Sequence, residues 1–452
     1  MRDGCDDCGT TLTSQQNPMD ERALAQSAQE TNETGDAGLE DENQLDLFGM
    51  PIASAVPTVP VASSTAPVDP AARTLRSTVD PANASEAASP TTQTVRTATA
   101  TVSLWADESV PPTAVSNDAS PAKKRRARDV LAAEPSADLL EIAASLPPNV
   151  HLGTSSWSFP GWNSIVYGDE YSNSKLSRDG LAAYGAHPLL RTVSIDRSFY
   201  APLPVTDYLR YAQQVPDHFR FIVKAPALVT DATVRAERGE PVSANPCFLN
   251  AQLAIDEFVR PCIDGLGAKA GALVFQISPL PDEMLAEPML FIERLAAFVA
   301  ALPPLPEGTC YAVEIRDASM LTPRFIRTLK AAGVRYCVGI HARMPDPLRQ
   351  AAALALLDAQ ADTPSGPLIV RWSLHGGFRY EQAKARYEPF DRLVDEDPQT
   401  RRALAELAAR YAIAGQPVLI AVNNKAEGSA PLTCVELARL IAEAIERMRH
   451  DG

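Results

Sequence analysis

From Val150 onward, short runs rich in β-branched and aromatic residues alternate with longer stretches whose apolar positions recur every three or four residues. The first pattern suits a strand with side chains on alternate faces, and the second suits an amphipathic helix. Eight strands are expected: His151–Trp157, Thr192–Phe199, Phe219–Ala225, Ala272–Ser278, Tyr311–Arg316, Arg335–Ile340, Leu368–Leu374 and Val418–Asn423. Helices are expected around Ser177–Tyr184, Thr206–Gln214, Asn245–Asp264, Met289–Ala301, Pro323–Ala332, Pro347–Asp358 and Pro398–Ala414, with a last one over Thr433–Arg449. Several of these open on Pro, Asn, Ser or Thr, residues that helix N-termini prefer.

Eight strand–helix alternations in about 300 residues predict an α/β fold of the (β/α)₈ TIM-like barrel class over residues 148–450. A doubly wound open sheet would usually carry a Gly-rich phosphate turn after its first strand. The turn here reads Ser155-Ser156-Trp157-Ser158-Phe159-Pro160-Gly161-Trp162, which is no such loop.

The alternation is missing before residue 148. Of 13 Phe, 11 Tyr and 4 Trp in the chain, only Phe48 and Trp105 fall in the first 150 residues, and no glycine occurs between Gly49 and Gly153. Such a stretch buries too little apolar surface to offset roughly 1–2 kcal/mol of backbone entropy per residue, so residues 1–147 read as a disordered, Pro-rich tail. The charge divides at the same place. Residues 1–150 hold 22 acids and 10 bases, net −12 of the chain's −15, so the rest is nearly neutral at −3. A near-neutral domain has no global electrostatic footprint for nucleic acid. No apolar run approaches the ~20 residues of a membrane span, and no signal peptide is legible. Cys247, Cys262, Cys310, Cys337 and Cys434 are scattered singly, as expected of a cytoplasmic protein.

Barrel chemistry gathers where strands end. Tyr311, Val313 and Ile315 share one face of the fifth strand, which turns Glu314 and Arg316 into the barrel mouth. The same alternation directs Asp196, Lys224, Gln276, Arg371 and Asn423 inward. An excess of cations among them (Lys224, Arg316 and Arg371 against Asp196 and Glu314) points to an anionic ligand bearing phosphate or carboxylate, with Gln276, Asn423 and Asn424 as amide donors. Glu314 or Asp196 is then a candidate acid or base, with Lys224 tuned by the guanidinium groups. A buried ion-pair network without chemistry is the bland alternative. The six histidines form no close-spaced ligand pair, so a metal site is not the expectation, although His341 and His375 end the sixth and seventh strands, where ligands can assemble in space; the sequence leaves any cofactor open. His375, before Gly376 and Gly377, starts a loop and is a further candidate base.

At these residues the chain resembles the YecE-like proteins, domain-of-unknown-function family 72. The similar stretches are Gly153 to Ser158 (which includes Trp157) with Trp162 and Tyr167, Val193 to Tyr200, Phe221 to Pro226, and Phe275 to Pro279. Glu314 to Ser319, Arg371 with His375-Gly376, and Asn423-Asn424 with Gly428 and Ala430 complete the set. The resemblance implies a TIM-like barrel over about residues 150–440 and carries no established reaction. Trp157 joins the candidate ligand contacts through it. Where such proteins usually read Glu-Ile-Asn before Ser/Thr-Phe-Tyr, this chain reads Ser194-Ile195-Asp196-Arg197; Ala201 stands where a basic residue is common, and Met320 where Trp is usual.

The tail carries three short features. Gln44-Leu45-Asp46-Leu47-Phe48 looks like the pentapeptide by which bacterial replication and repair proteins dock on the sliding clamp, with Leu and Phe as groove anchors. Lys123 to Arg128 is a basic cluster able to touch phosphates or to remain a solvated linker. Cys5 and Cys8 supply only two of the four ligands of a closed zinc site. Two readings follow. One is an enzyme, such as a hydrolase or lyase, acting on an anionic small molecule or nucleic-acid-derived ligand. The other is a replication- or repair-associated protein tethered to the clamp, and the two are compatible.

Overall fold

The computed structural model describes residues 129–236, 241–358 and 363–451. The pentapeptide Gln44–Phe48, the basic cluster Lys123–Arg128 and the Cys5/Cys8 pair all lie outside the described residues.

Eight parallel strands close into a barrel in the order β1-β10-β9-β8-β7-β6-β3-β2. They are β1 (Val150–Thr154), β2 (Leu190–Ile195), β3 (Arg220–Lys224), β6 (Ala270–Gln276), β7 (Cys310–Glu314), β8 (Arg335–Ile340), β9 (Leu368–Trp372) and β10 (Val418–Val422). The remaining two, β4 (Thr233–Arg235) and β5 (Pro241–Ala244), form an antiparallel hairpin outside the barrel that hydrophobic periodicity did not signal. All eight expected barrel strands are present; seven end one to four residues earlier than their sequence pattern, and β8 ends at Ile340 as expected. Residues such as Gln276, Glu314 and Trp372 thus sit at the last paired positions, and Asp196, Arg316 and Asn423 just beyond them.

Apolar packing falls into two shells. Ile222, Ala272, Val274, Ala312, Cys337, Ile369, Leu419 and Ala421 fill the barrel interior, whereas the larger cluster, with Phe221, Phe275, Val313 and Trp372, lies between strands and helices. Strands buried on both faces read as continuous apolar runs, and β6 is buried at all seven positions. Capping fixes where the helices begin. Thr322 Oγ1 accepts from Phe325 N ahead of Pro323, Asp346 Oδ1 accepts from Leu348 N and Arg349 N, and Asp397 Oδ1 accepts from Thr400 N. The segment expected as one helix over Asn245–Asp264 runs from Ala251 to Leu266 with a π-helical turn at Ile255–Val259. That turn directly precedes Pro261, whose missing N–H cannot continue the regular ladder.

The boundary drawn at residue 147 is too late. Ala137–Ser145 forms a helix whose Ser136 cap accepts from Leu139 N, and Ile142, Ala143 and Leu146 are buried. Arg439, on the closing helix Ala430–Asp451, pairs with Asp138 at 2.5 Å. Further upstream, Gly168 N donates to Leu131 O and Ala133 N to Val166 O. Low aromatic content hid this segment, because its burial rests on a few aliphatic side chains packed against a distant part of the chain.

Limited proteolysis should therefore leave a resistant fragment that begins near Asp129. A chain starting at Pro148 should be less stable than one starting at Asp129 by about 2 kcal/mol or more, the value of re-exposing Ile142 and Leu146. Thermal melts of the two truncations check this.

Candidate active site

The polar layer rises from the interior apolar layer by one strand period. Ile222, Val274, Ala312 and Ile369 point into the barrel, so Lys224, Gln276, Glu314 and Arg371, two residues later on the same strands, do too. β7 pairs with β6 at Glu314 and Gln276, and Arg371 of β9 pairs with Gly339 of β8 and Ala421 of β10. Gly339 leaves space for this layer: a Cβ there would lie 3.1 Å from Glu314 Oε1.

Arg371 is the hub. Its Nη1 donates to Glu314 Oε2 at 2.7 Å and to Gln276 Oε1 at 2.8 Å, and its Nη2 donates to Asp196 Oδ2 at 2.7 Å. Arg316 Nη2 donates to Gln276 Oε1 at 2.9 Å and approaches Glu314 Oε1 at 2.7 Å, an ion contact without hydrogen-bond alignment. Ser194 Oγ donates to the second oxygen of Asp196. Burial works against the charge on both Arg371 and Glu314. On Arg371, Asp196 and Glu314 outweigh it and hold the pKa above the usual arginine value. On Glu314, Arg316 and Arg371 outweigh it and hold the carboxyl below its usual range.

Above this network opens a narrow cleft of about 810 Å³, counted with its solvent-open side. Asp196, Lys224, Gln276, Arg316, Arg371 and Asn423 line it, so six of the residues expected at the strand ends converge there. Lys224 differs from the two arginines. Its Nζ stands 3.4 Å from the centroid of the Phe199 ring, and among the described residues no carboxylate lies within ion-pair distance of it. Burial and then the Arg371 charge push its pKa down to about 7, with Asp196 pulling the other way. Ser198 fixes the strand end beneath it by donating to the Lys224 carbonyl at 2.6 Å.

Four expected site residues are placed differently. Glu314 is completely buried below the cleft between the two guanidiniums, where it orders them and has no route to a ligand. Asn424 is buried, and its Oδ1 accepts from Ala430 N to start the closing helix. Trp157 packs edge-on against Tyr211, away from the cleft lining. His375 is half-buried on its loop, with Nδ1 2.6 Å from Gly376 O and its ring against Phe378, also outside the lining. Each sits one or two residues from a cleft residue, and period alone cannot separate such neighbours once the strand has ended.

The cleft also recruits residues that alternation did not single out as ligand contacts: Ser155, Phe199, Tyr200, His341, Ser373 and Tyr380. Asn423 Nδ2 donates to Ser155 Oγ at 2.8 Å. Burial, followed by Arg316 and Arg343, lowers the His341 pKa to about 3, so its imidazole is neutral. Behind Tyr380, buried Lys425 puts its Nζ 3.9 Å from that ring's centroid, with its pKa lowered to about 7 by burial and then by Lys384. Among the described residues no group of three or more His, Cys, Asp or Glu is placed to hold a metal ion, and no helix is long and apolar enough to cross a membrane.

Replacing Glu314 by Gln keeps the shape but leaves Arg371 with Asp196 alone and removes the one carboxylate in contact with Arg316. Loss of one partner of such a pair typically costs about 3 kcal/mol or more. Urea unfolding of Glu314→Gln should show a lower midpoint with an unchanged slope.

The family described as protein of unknown function DUF72 matches residues 151–451. Among solved structures, the chain is similar to a DUF72 family protein from Thermotoga maritima at 17% identity, covering 65% of this chain and 98% of that one with a TM-score of 0.44. A DUF72 family protein from Enterococcus faecalis is similar at 16% identity, covering 66% and 95%, with a TM-score of 0.43. No curated protein matches the chain. With two thirds of its length matched across the entire barrel, the chain belongs to the DUF72 family.

Proposed function

We propose that the barrel mouth binds a small anionic molecule, carrying phosphate or carboxylate, and acts on it. One observation carries the reading. Two carboxylates, Asp196 and Glu314, are already bound to the two arginines, and Lys224 is left on the cleft wall as a cation without a counter-ion. An anion entering the cleft supplies the missing charge, and its desolvated partners make the contact stronger than it would be at the surface. Arg316 supports this, since its bonds to Gln276, Ser373 and Glu314 all use Nη2. Its Nη1 donates to nothing among the described residues and is free for a ligand oxygen. The same charge pattern suits a small metabolite or a nucleic-acid-derived fragment, and a hydrolase or lyase is the enzyme class in view.

The titration of Lys224 gives the test. Its folded value of about 7 lies below the ~10.4 of a free lysine. Between those values the unfolded chain binds more protons, so this group makes stability rise with pH across the window and contributes no slope below about pH 7. Ligand binding runs the opposite way, because the anion needs the ammonium. Inorganic sulfate keeps its charge throughout, and its affinity should drop about tenfold or more from pH 6 to pH 9. Lys224→Met should lose sulfate binding and flatten the stability slope. A pH-independent sulfate isotherm, unchanged in the variant, would overturn the proposal.

A second reading rests on Gln44 to Phe48 alone. We propose that this pentapeptide docks on a bacterial sliding clamp and tethers the barrel near DNA, raising its local concentration without new barrel contacts. A peptide over residues 40–51 should bind the clamp at micromolar affinity, since a short flexible segment must offset its own ordering cost. Leu47→Ala combined with Phe48→Ala in the full chain should abolish capture, while Lys224→Met should not alter it. Equal capture of the double variant in surface plasmon resonance sinks the tether.

A further inference from the structure

We infer that Lys224 is an imine-forming residue, whose amine condenses with the carbonyl group of a small oxo compound held by its phosphate or carboxylate against Arg316. The inference rests on the anion-binding reading and adds the substrate class, an anionic aldehyde or ketone.

Three observations place a nucleophile here. First, the side chain enters from the end of β3 into the cleft, and no hydrogen bond or ion pair among the described residues holds its nitrogen. A lysine with a purely structural role in such a site would be expected to pair with Asp196 or Glu314. Both carboxylates are instead taken by Arg371, and Glu314 is also in contact with Arg316. Second, the face of Phe199, 3.4 Å from the nitrogen, shields one side and leaves the cleft side for approach. Third, the surroundings favour an amine that exchanges its proton near neutrality, with burial acting first and Arg371 second. A lysine at the ordinary value is neutral in only about one molecule in several thousand at pH 7.

The step balances without a co-reactant. The neutral amine's electron pair attacks the carbonyl carbon, and the carbonyl oxygen gains a proton to give a carbinolamine. That oxygen then leaves as water while the nitrogen lone pair forms the C=N bond. From the ammonium form, the net change is ammonium plus carbonyl to protonated imine plus one water, so charge is conserved. The cleft therefore keeps the same positive charge facing the anion before and after condensation. The protonated imine draws electrons from the adjacent carbon, which is what a carbon–carbon lyase needs.

Lys425 supplies an internal control. It too is buried with a pKa lowered to about 7, but it stands behind Tyr380 and does not line the cleft. If a depressed pKa alone governed reactivity, both lysines would react; if the cleft selects the ligand, only Lys224 will.

The experiment incubates the full-length protein at pH 7 with pyruvate or with dihydroxyacetone phosphate, reduces with sodium cyanoborohydride and maps adducts by peptide mass spectrometry. Acetone serves as the uncharged comparison, and sulfate as competitor. Expected is a saturable adduct on Lys224 from at least one anionic compound, at least about tenfold above exposed lysines and above acetone, suppressed by sulfate. The two anionic compounds separate a carboxylate-bearing from a phosphate-bearing source. Lys224→Arg, checked for folding by its thermal melt, should remove the adduct; should it not fold, the wild-type map decides alone. No adduct on Lys224 while calorimetry still detects sulfate overturns the imine and leaves the anion site standing. Absence of both overturns both. Equal labelling of Lys224 and Lys425, or by acetone, overturns cleft-directed condensation.

Discussion

The barrel mouth is organised by one buried guanidinium. Arg371 sits on β9 yet bonds to Asp196 at the end of β2, Gln276 at the end of β6 and Glu314 at the end of β7. Taking these charges out of water costs several kcal/mol per ion, and only well-aligned opposite charges offset it. Such alignment exists only when the sheet is closed in the observed register, since the three partners come from strands that are not hydrogen-bonded to β9. The network is thus a condition on barrel closure as well as a feature of the site. Gly339, beside Arg371, fits the same arrangement: a Cβ there would press on Glu314 Oε1 at 3.1 Å, tighter than ordinary contact.

What the network does to Lys224 follows from its stoichiometry. Both carboxylates of the layer are committed to guanidiniums, so the lysine has no ion-pair partner, and burial first and Arg371 second lower its pKa against the pull of Asp196. Its ammonium is therefore held less firmly than that of an exposed lysine, and a ligand that brings a negative charge would offset this. Charge pairing in the lower layer and a lysine without an ion-pair partner in the upper one are consequences of the same allocation of charge.

Much of this was legible as alternation. Period two along a strand put Glu314 and Lys224 on inward faces without any knowledge of partners, and the apolar residues two positions earlier do fill the barrel. Depth was not legible. Glu314 and Arg316 share a face, yet one is sealed below the cleft and the other lines it, because the strand ends between them. Beyond a strand end the chain turns freely, which is why Asn424 and His375 were assigned to the mouth and lie outside it. Lys425 and Tyr380 gave no local signal, because their contact joins a turn to the first residue of the helix Tyr380–Tyr387, about 45 residues apart in sequence. The helix Ala137–Ser145 was missed for the same reason, its support lying in the closing helix near Arg439.

The departure at Ser194-Ile195-Asp196 is consistent with this allocation. Relative to the Glu-Ile-Asn pattern usual in similar proteins, the carboxylate has moved by two residues. Asp196 stands just past the end of β2, in helical backbone at the start of the short helix Arg197–Tyr200, and from there its carboxylate accepts from Arg371. Two negative charges, Asp196 and Glu314, face Arg371. Ser194, two residues earlier, donates to the Asp196 oxygen that Arg371 does not take and so holds the carboxylate's orientation. A shift by a single residue would have turned the carboxylate toward the helices and left Arg371 underpaired in a dry interior. The carboxylate at 196 thus completes the charge balance around Arg371, and with both carboxylates of the layer so committed Lys224 has no ion-pair partner among the described residues.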